Sequence, residues 1–331
     1  MMAATYDVLA IGNAIVDVLA HADDDFLAAR GLPKGGMVLI DAEQADRLYA
    51  EMGPAVESSG GSAANTVAGL ASLGGKAAFI GKVADDVLGK VFRHDITAIG
   101  AHYATVPLVG GAPTARCLVL ISPDAERTMS TYLGACTELR PEDIDEDLVR
   151  ASAVTYVEGY LWDQPHAKDA IVRAACAAKE AKRKVSLSLS DSFCVERHRE
   201  EFLELIDGFV DVLFANEGEL KALYELDDFD ACVAQVRGHA EVVAVTRGAK
   251  GSVVITGGDV LTVPVEPVSR VVDTTGAGDL YAAGFLFGYT RGYQLGECAR
   301  LGGIAAGEVI SHVGPRPEVS LAGLIKERLA V

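Results

Sequence analysis

The segment Asp273-Thr274-Thr275-Gly276-Ala277-Gly278-Asp279 leads directly into an apolar stretch that predicts a helix from Gly276 to Arg291. Glycines at a helix start let a phosphate approach the backbone, and the N–H groups of the first turn have no partner within the helix. Asp279 falls in that first turn, where a carboxylate can accept the proton of an attacking hydroxyl. Read alone, Gly276–Asp279 is more typical of an ordinary loop with an acidic residue favouring the helix dipole. The segment therefore raises a phosphoryl-transfer hypothesis that the rest of the chain has to support.

The second half of the chain alternates strand-like and helical patterns, which is typical of βαβ units. It predicts an α/β fold with a doubly wound, mostly parallel central sheet flanked by helices. Four strands carry this prediction: Val154–Val157, Val185–Leu189, Val212–Phe214 and Val242–Val245. The first three are each followed by a helical pattern, and the fourth leads into Gly248-Ala249-Lys250-Gly251.

The first half contains shorter strands, and we expect the segments at about 12–40 and 112–132 to form a small sheet, a lid subdomain over one edge of the large one. Strands Cys117–Ile121 and Arg127–Thr131 are predicted to pair antiparallel because only a short turn separates them. The stretch Ser62–Leu73 predicts a helix with Ser62 as N-cap. No linker or repeat divides the chain, so residues 1–331 are expected to form one domain.

Composition narrows the class of protein. With 29 Lys and Arg against 47 Asp and Glu, the formal net charge is -18, which disfavours a general nucleic-acid binder. The six cysteines have no C-x-x-C pairing, which is typical of reduced thiols in a cytoplasmic protein. The apolar stretch Val8–Ala20 is interrupted by Asn13 and Asp17, so we expect neither a signal peptide nor a membrane segment.

The chain lacks the motifs of two other classes of nucleotide-binding protein. Gly12-Asn13-Ala14-Ile15-Val16-Asp17 does not contain the G-x-G-x-x-G pyrophosphate loop of dinucleotide-dependent oxidoreductases. Gly74-Gly75-Lys76-Ala77 lacks the hydroxyl residue of a Walker-type phosphate loop. A non-catalytic, nucleoside-binding regulatory protein remains an alternative, although a protein that only binds gains nothing from a base at Asp279.

Three motifs in the right order resemble the ribokinase-like (PfkB) carbohydrate kinases, from about Tyr6 to Pro317. Asp273–Asp279 with Gly284-Phe285 resembles their C-terminal signature, and Gly60-Gly61-Ser62-Ala63-Ala64-Asn65-Thr66 resembles their N-terminal one. Phe79–Gly89 is similar to a third element, with Ala84 where glycine is usual. The resemblance implies an ATP-dependent kinase with a small-molecule substrate.

The resemblance also implies residue roles for phosphoryl transfer. Asp279 is implied as the catalytic base, and the amides of Gly276, Ala277 and Gly278 as the anion hole. Arg127, on a covering strand, is expected to bridge the transferred phosphoryl group. The ATP-binding residues implied are Asn216, Thr246, Gly248, Gly251, Thr274 and Gly278, with Arg247 and Lys250 offsetting the acidic surface.

Metal roles follow from the same resemblance. Asn216 and Glu219 are implied to order water around Mg²⁺, although Asn-x-x-Glu taken alone is more typical of a helix start with Asn216 as N-cap. Asp273 and Thr275 are implied as ligands of a monovalent cation, usually K⁺, with backbone near Val309, His312 and Gly314.

The acceptor side centres on Asp17, a carboxylate inside an apolar stretch that needs polar partners if it is buried. Vicinal sugar hydroxyls would provide them, and the family uses its first Gly-x-x-x-x-Asp element in this way. Asn13, Gly60, Gly61, Asn65 and Tyr160 complete the expected substrate contacts. The alternative for Asp17 is a strand end in water.

Three features resemble family members that act on adenosine more than those that act on ribose or fructose. These are Gly12-Asn13, Glu126–Met129, and Glu308–Pro315 together with Tyr156–Tyr160. We therefore expect the 5′-hydroxyl of a ribonucleoside, adenosine first, as acceptor, with a sugar kinase as the alternative. An apolar slot for the base is expected among Met37, Leu39, Tyr132, Leu133, Tyr160, Leu161 and Trp162, where core packing is the alternative for each. Both a monomer and a homodimer are compatible with the sequence.

Overall fold

The computed structural model describes residues 4–124 and 126–329. In chain order, the strands β1 to β14 of these residues are Tyr6–Ile11, Ile15–His21, Met37–Leu39, Ala55–Gly60, Ala77–Ile80, His102–Tyr103, Ala115–Ile121, Arg127–Tyr132, Ser152–Glu158, Lys184–Ser188, Val212–Asn216, Val242–Thr246, Ser252–Ile255 and Val260–Val263. The helices α1 to α12 are Asp24–Ala29, Ala42–Glu51, Ser62–Ser72, Val87–Ala98, Glu146–Ala151, Pro165–Glu180, Ser192–Phe209, Glu217–Tyr224, Phe229–Val236, Ala277–Tyr289, Leu295–Val309 and Leu321–Leu329.

The large sheet has nine strands in the order β14-β13-β12-β11-β10-β9-β1-β5-β6. The strands from β12 to β6 are parallel, and β13 and β14 add an antiparallel edge. Later strands are added on both sides of β1, with β5 and β6 on one side and β9 to β14 on the other. In open α/β sheets, ligands bind in the crevice at such a reversal of strand order, beyond the carboxyl ends of the strands. The predicted α/β architecture is confirmed.

The small sheet has five strands in the order β3-β8-β7-β2-β4. Strands β7 and β8 pair antiparallel, as their short connection predicts. Strand β4 lies outside the two segments expected to form the lid, and it brings Gly60 onto the sheet next to Ile15. Asp17 belongs to the middle of β2, so the alternative of a strand end in water is wrong.

Helices α3 and α10 pack closely enough to join the two glycine motifs. A Cβ atom at Gly69 would lie 2.6 Å from Leu280 Cδ1 and 2.7 Å from Ala283 Cβ, so only glycine permits this approach. Because α3 follows the small sheet and α10 follows the phosphate segment, their contact fixes one motif against the other.

The sequence patterns missed several short elements, namely α1, α5, α9, α12, β4 and β6. These elements have few residues and weak periodicity, which is where local patterns carry least information. Within the described ranges, no helix is long and apolar enough to cross a membrane.

Candidate active site

The predicted ligand-binding segments meet at the carboxyl edge of the large sheet. Gly12 and Asn13 follow β1, and Glu158 ends β9. Asn216 and Thr246 end the adjacent strands β11 and β12 and are paired in register. Because these strands run parallel in one sheet, their carboxyl ends bring the polar residues to the same edge.

Asp279 lies in the first turn of α10 and is held by two side chains of α3. The Ser62 hydroxyl donates to Oδ1 at 2.6 Å, and Asn65 Nδ2 donates to Oδ2 at 3.0 Å. Burial raises the pKa of Asp279 above its ordinary value, while the hydrogen bonds from Ser62 and Asn65 lower it. The carboxylate is thus fixed in orientation and kept basic, as a general base requires.

Ser62 does not have the N-cap role predicted from the sequence. Gly61, with φ 97°, is the N-cap of α3, and no side chain caps the helix. The Ser62 side chain is bonded to Asp279 instead. The N-cap prediction is wrong because a contact 217 residues away in the chain takes the hydroxyl.

The backbone turn before Asp279 presents N–H groups at the start of α10. Gly276 is the N-cap, with φ 77°, and the N–H of Ala277 donates to the Thr274 carbonyl at 3.2 Å. Gly278 is exposed, and a Cβ built there would meet no atom within 4 Å. Open space therefore lies over Gly278, whereas the Ala277 amide already has an intramolecular acceptor.

Arg127 of β8 connects the small sheet to this turn. Its Nη1 lies 2.8 Å from Asp273 Oδ2, and each side chain is only 7% exposed. The Arg127 Nε is buried with no hydrogen-bond partner among the described residues, so this guanidinium retains a donor for a ligand oxygen.

Asp273 is fully engaged. Its Oδ1 accepts from the Thr275 N–H and hydroxyl, and its Oδ2 accepts from the Gly314 N–H at 3.0 Å. Burial raises the pKa of Asp273, but the hydrogen bonds from Gly314 and Thr275 and the charge of Arg127 outweigh it and leave the pKa below its usual value. A monovalent cation bound by Asp273 and Thr275 would have to share oxygens that already accept these bonds.

Asp17 projects from β2 beside Gly60 of β4. A Cβ at Gly60 would lie 2.3 Å from Asp17 Oδ2, so the carboxylate occupies space that only glycine leaves free. Burial raises the pKa of Asp17 to about 6, and Arg316 and Arg127 oppose the shift. Among the described residues no group donates a hydrogen bond to this carboxylate, which leaves its oxygens for a ligand.

Glu158 is a buried residue to which sequence reasoning assigned no role. Its Oε1 accepts from the backbone N–H and Nδ2 of Asn13, at 2.9 and 2.6 Å, and its Oε2 accepts from the Ala63 N–H at 2.9 Å. Glu158 therefore ties β9 to the loop after β1 and to the start of α3. The Asn13 side-chain amide, predicted to bind substrate, is used in this brace.

The candidates for a base slot divide into three groups by their exposure. Leu161 and Trp162 are core residues, and Trp162 packs on Phe202, so for these two the core alternative holds. Met37 and Leu39 are 47% and 59% exposed. The other three, Tyr132, Leu133 and Tyr160, are partly buried, and the Tyr160 hydroxyl lies 3.4 Å from the Ser190 carbonyl.

The predicted ATP side contains a complete capping box. Asn216 Oδ1 accepts from the Glu219 N–H at 2.8 Å, while the Glu219 carboxylate accepts from the Asn216 backbone N–H and Nδ2 at 2.9 and 2.6 Å. The N-cap alternative for Asn216 is thus realised. Burial raises the pKa of Glu219 to about 7, with Asp191 and Asp279 adding negative charge. Among the residues that the structure describes, no group of three or more His, Cys, Asp or Glu side chains is placed to hold a metal ion directly.

The loop after β12 carries the remaining predicted ATP contacts. Gly248 is exposed, and Gly251 packs against the backbone of Val263. Arg247 Nε donates to Glu217 at 2.8 Å and Lys250 Nζ lies 3.6 Å from the same carboxylate oxygen. Both cations are therefore partly neutralised by Glu217.

Comparison with known proteins agrees with this geometry. The model of the pfkB family carbohydrate kinases matches residues 33–320. Adenosine kinase of Saccharomyces cerevisiae is 29% identical over 336 residues, covering 94% of this chain and 96% of its own.

Solved structures agree as well. The adenosine kinase from Sinorhizobium meliloti is 56% identical with a TM-score of 0.92, covering 98% of this chain and 100% of its own. A probable sugar kinase from Rhizobium etli CFN 42 is 50% identical with a TM-score of 0.93, covering 99% and 100%.

The fold and the site define a phosphotransferase with an alcohol group as acceptor, on a ribokinase-like fold. The chain belongs to the pfkB family of carbohydrate kinases, which confirms the resemblance seen in its motifs. It is a nucleoside or sugar kinase of that family, with a small-molecule substrate and ATP as the phosphoryl donor.

Proposed function

We propose that the protein transfers the γ-phosphoryl group of ATP to the 5′-hydroxyl of a ribonucleoside, converting adenosine to AMP. The observation that carries the proposal is the position of Asp279, held by Ser62 and Asn65 at the start of α10, beside the open space over Gly278. This arrangement combines a base for the acceptor hydroxyl with backbone donors for the transferred phosphoryl group.

The acceptor is bound through its hydroxyls in this proposal. Asp17 has oxygens without donors, and Asn65 Oδ1 is buried with no partner among the described residues. Ribose hydroxyls that donate to these atoms would remove the cost of leaving them unpaired. Gly60 leaves room for the Asp17 carboxylate and Gly61 for the Asn13 carbonyl, and the Asn13 side chain is held by Glu158.

The transfer step follows from these positions. Asp279 accepts the proton of the 5′-hydroxyl while the hydroxyl oxygen bonds to the γ-phosphorus of ATP. The bond between the γ-phosphorus and the bridging oxygen of the β-phosphate breaks, which releases ADP. The N–H of Gly278 and the guanidinium of Arg127 stabilise the charge on the phosphoryl oxygens. The Ala277 amide contributes only if its bond to Thr274 opens.

When bound, Mg²⁺ would neutralise charge on the phosphates, and Asn216 with Glu219 would hold its water shell. Both carboxylate oxygens of Glu219 already accept hydrogen bonds from Asn216, so contact with the ion would be made through water. A role for K⁺ at Asp273 and Thr275 fits less directly, because Asp273 already accepts four hydrogen bonds. We therefore expect stronger dependence on Mg²⁺ than on K⁺.

The whole chain is proposed to act as one kinase domain whose small sheet, including segments 12–40 and 112–132, closes over the acceptor. Arg127 is the link, because it extends from β8 to Asp273 beside α10. Closure excludes water from the phosphoryl group and limits ATP hydrolysis. The free state of all six cysteines is consistent with a reducing, cytoplasmic environment.

Adenosine is favoured over free sugars by the 56% identity to the Sinorhizobium meliloti adenosine kinase. The exposed Met37 and Leu39 on β3 also offer apolar surface for a base. The second candidate is a sugar kinase, which the 50% identity to the probable sugar kinase of Rhizobium etli supports.

A coupled assay of ADP formation across adenosine, inosine, guanosine, ribose and fructose tests the proposal. We expect the highest kcat/KM with adenosine, loss of activity without Mg²⁺, and a smaller loss without K⁺. Activity with the sugars alone would replace the proposal by its alternative. Binding of adenosine without any ADP formation would identify a regulatory binder.

A further inference from the structure

Arg316 lies in the C-terminal segment and takes no part in the proposed phosphoryl transfer step. Its Nη1 donates to the Ser59 hydroxyl at 2.7 Å, on the strand that ends in Gly60. Its Nε and Nη2 are buried and have no acceptor among the residues described by the structure. A buried guanidinium with unpaired N–H groups is costly unless a ligand or water accepts from them.

The carboxylate that acts most strongly on Arg316 is Asp17, and Asp95 acts next. The two charges nevertheless form no ion pair within 4.0 Å in the described part of the chain. Asp17 thus has free acceptors and Arg316 has free donors, with a gap of more than 4.0 Å between their charged atoms. A hydroxyl in that gap could donate its proton to Asp17 and accept from Arg316 at the same time.

The backbone around Arg316 is fixed on both sides. The Gly314 N–H donates to Asp273 at 3.0 Å, and the N–H groups of Glu318 and Val319 donate to buried Glu308 at 3.0 and 3.2 Å. Prolines at 315 and 317 restrict φ next to Arg316. The guanidinium is therefore mounted on a rigid loop, as a binding group should be.

We propose that Arg316 is an acceptor-binding residue, which donates to the oxygen of a sugar hydroxyl that itself donates to Asp17. This inference rests on the proposed function and deepens it. The pair Asp17–Arg316 then selects a hydroxyl that donates one hydrogen bond and accepts another. The site therefore favours vicinal diols over deoxy or O-alkylated sugars.

The charge of Arg316 also supports the ionised state of Asp17. Arg127, Arg316, Asp279 and the Cys117 thiol are the charged or titratable groups that act on this carboxylate. Arg316 and Arg127 lower the pKa of Asp17, whereas Asp279 raises it. Loss of the Arg316 charge should therefore raise the pKa of Asp17 and move the acid limb of kcat/KM for the acceptor to higher pH.

The test measures KM and kcat for adenosine, 2′-deoxyadenosine and 3′-deoxyadenosine with wild-type protein, Arg316→Gln and Arg316→Lys. Arg328→Gln is the matched control, because Arg328 pairs with Glu266 and Pro267 in another loop. Thermal unfolding of each variant shows whether the fold is retained. If Arg316→Gln does not fold, the comparison is made with Arg316→Lys, which keeps the charge but not the guanidinium geometry.

We expect the wild-type KM to rise by about 10- to 100-fold for one deoxy analogue, the cost of a hydrogen bond to a charged group. In Arg316→Gln the KM for adenosine should rise by a similar factor, and the deoxy analogue should raise it little further. The kcat of this variant should stay at the wild-type value, and the acid limb of its kcat/KM should move to higher pH. Arg316→Lys should keep the pH limb and show an intermediate KM.

Equal penalties for the deoxy analogues in wild type and variant would overturn the role of Arg316 alone, because the residue and the hydroxyl would then act independently. A fall in kcat at constant KM would also overturn it, in favour of a contact with the phosphoryl group. Wild-type protein that phosphorylates none of the three nucleosides would instead overturn the proposed function itself.

Discussion

The Ser62 hydroxyl lies 2.6 Å from Oδ1 of Asp279, although 217 residues separate them in the chain. The bond stabilises the ionised carboxylate against a burial that raises its pKa. Replacing Ser62 with Ala should therefore raise the pKa of Asp279 further and move the acid limb of kcat to higher pH. The measurement is kcat against pH at saturating adenosine and ATP.

Ser72→Ala is the control for this change, because Ser72 lies at the other end of α3 and bonds to the backbone of Val319 and Leu321. It should leave the acid limb in place. Identical pH profiles for Ser62→Ala and wild type would mean that Asp279 is not the group that limits turnover at low pH.

Replacing Asp279 with Asn removes the base and keeps the size of the side chain. We expect kcat to fall by about 10²- to 10⁴-fold, the usual contribution of general base catalysis. Adenosine binding, measured by calorimetry, should change little, since Asp17 and Asn65 remain. A variant with near-normal turnover would show that another group accepts the proton.

Arg127 provides a test of the lid. Replacing it with Gln leaves Asp273 without its cation in a mostly buried position, which costs about 3 kcal/mol of stability. It also removes a guanidinium from the phosphoryl group, for which a loss of about 10³-fold in kcat is expected. Chemical denaturation and steady-state kinetics separate the two effects.

Arg116→Gln is the matched control on the same sheet. Arg116 lies on β7 and pairs with Asp46, whose side chain is 73% exposed. Its loss should affect kcat little. A comparable drop for both variants would mean that the sheet tolerates neither change, and that Arg127 has no special contact with the phosphoryl group.

The sequence predicted the large sheet because strand periodicity is a local signal, and its glycine motifs marked many of the residues that are proposed for the site. Asp279, Asn65 and Asp17 all lie in such motifs, and the structure brings Asn65 and Asp279 into contact. The contacts themselves were not predictable. Glu158 bonds to residues 145 and 95 positions away, and no local pattern marks it as a brace.

Arg316 was missed for a similar reason. It stands alone between two prolines in a segment without periodicity, and its importance arises only where the C-terminal loop meets β4. For Ser62 the local pattern predicted an N-cap that does not form. The Ser62 hydroxyl instead donates to the carboxylate of Asp279, which is distant in the sequence. Contacts between separate segments depend on the whole packing and override local preference.

Glu158 yields a prediction about stability. A glutamine at this position would place an NH₂ group against N–H donors of Asn13 or Ala63, so at least one buried donor would lose its acceptor. We expect Glu158→Gln to lower the free energy of unfolding by about 2 kcal/mol. It should also raise KM for adenosine, because Asn13 and the start of α3 would shift. Exposed Glu180 on α6 is the control, and Glu180→Gln should change neither quantity.

The pH dependence of that loss tests the same brace. Burial raises the pKa of Glu158 to about 7, against an ordinary value of 4.5. A carboxyl whose folded pKa is raised contributes stability that is complete below its unfolded pKa and is lost as the pH rises through the folded pKa. The difference in unfolding free energy between wild type and Glu158→Gln should therefore be larger at pH 5 than at pH 8. Urea denaturation at both pH values measures it, and a difference that grows towards pH 8 would mean that the three N–H donors hold the pKa of Glu158 low despite its burial.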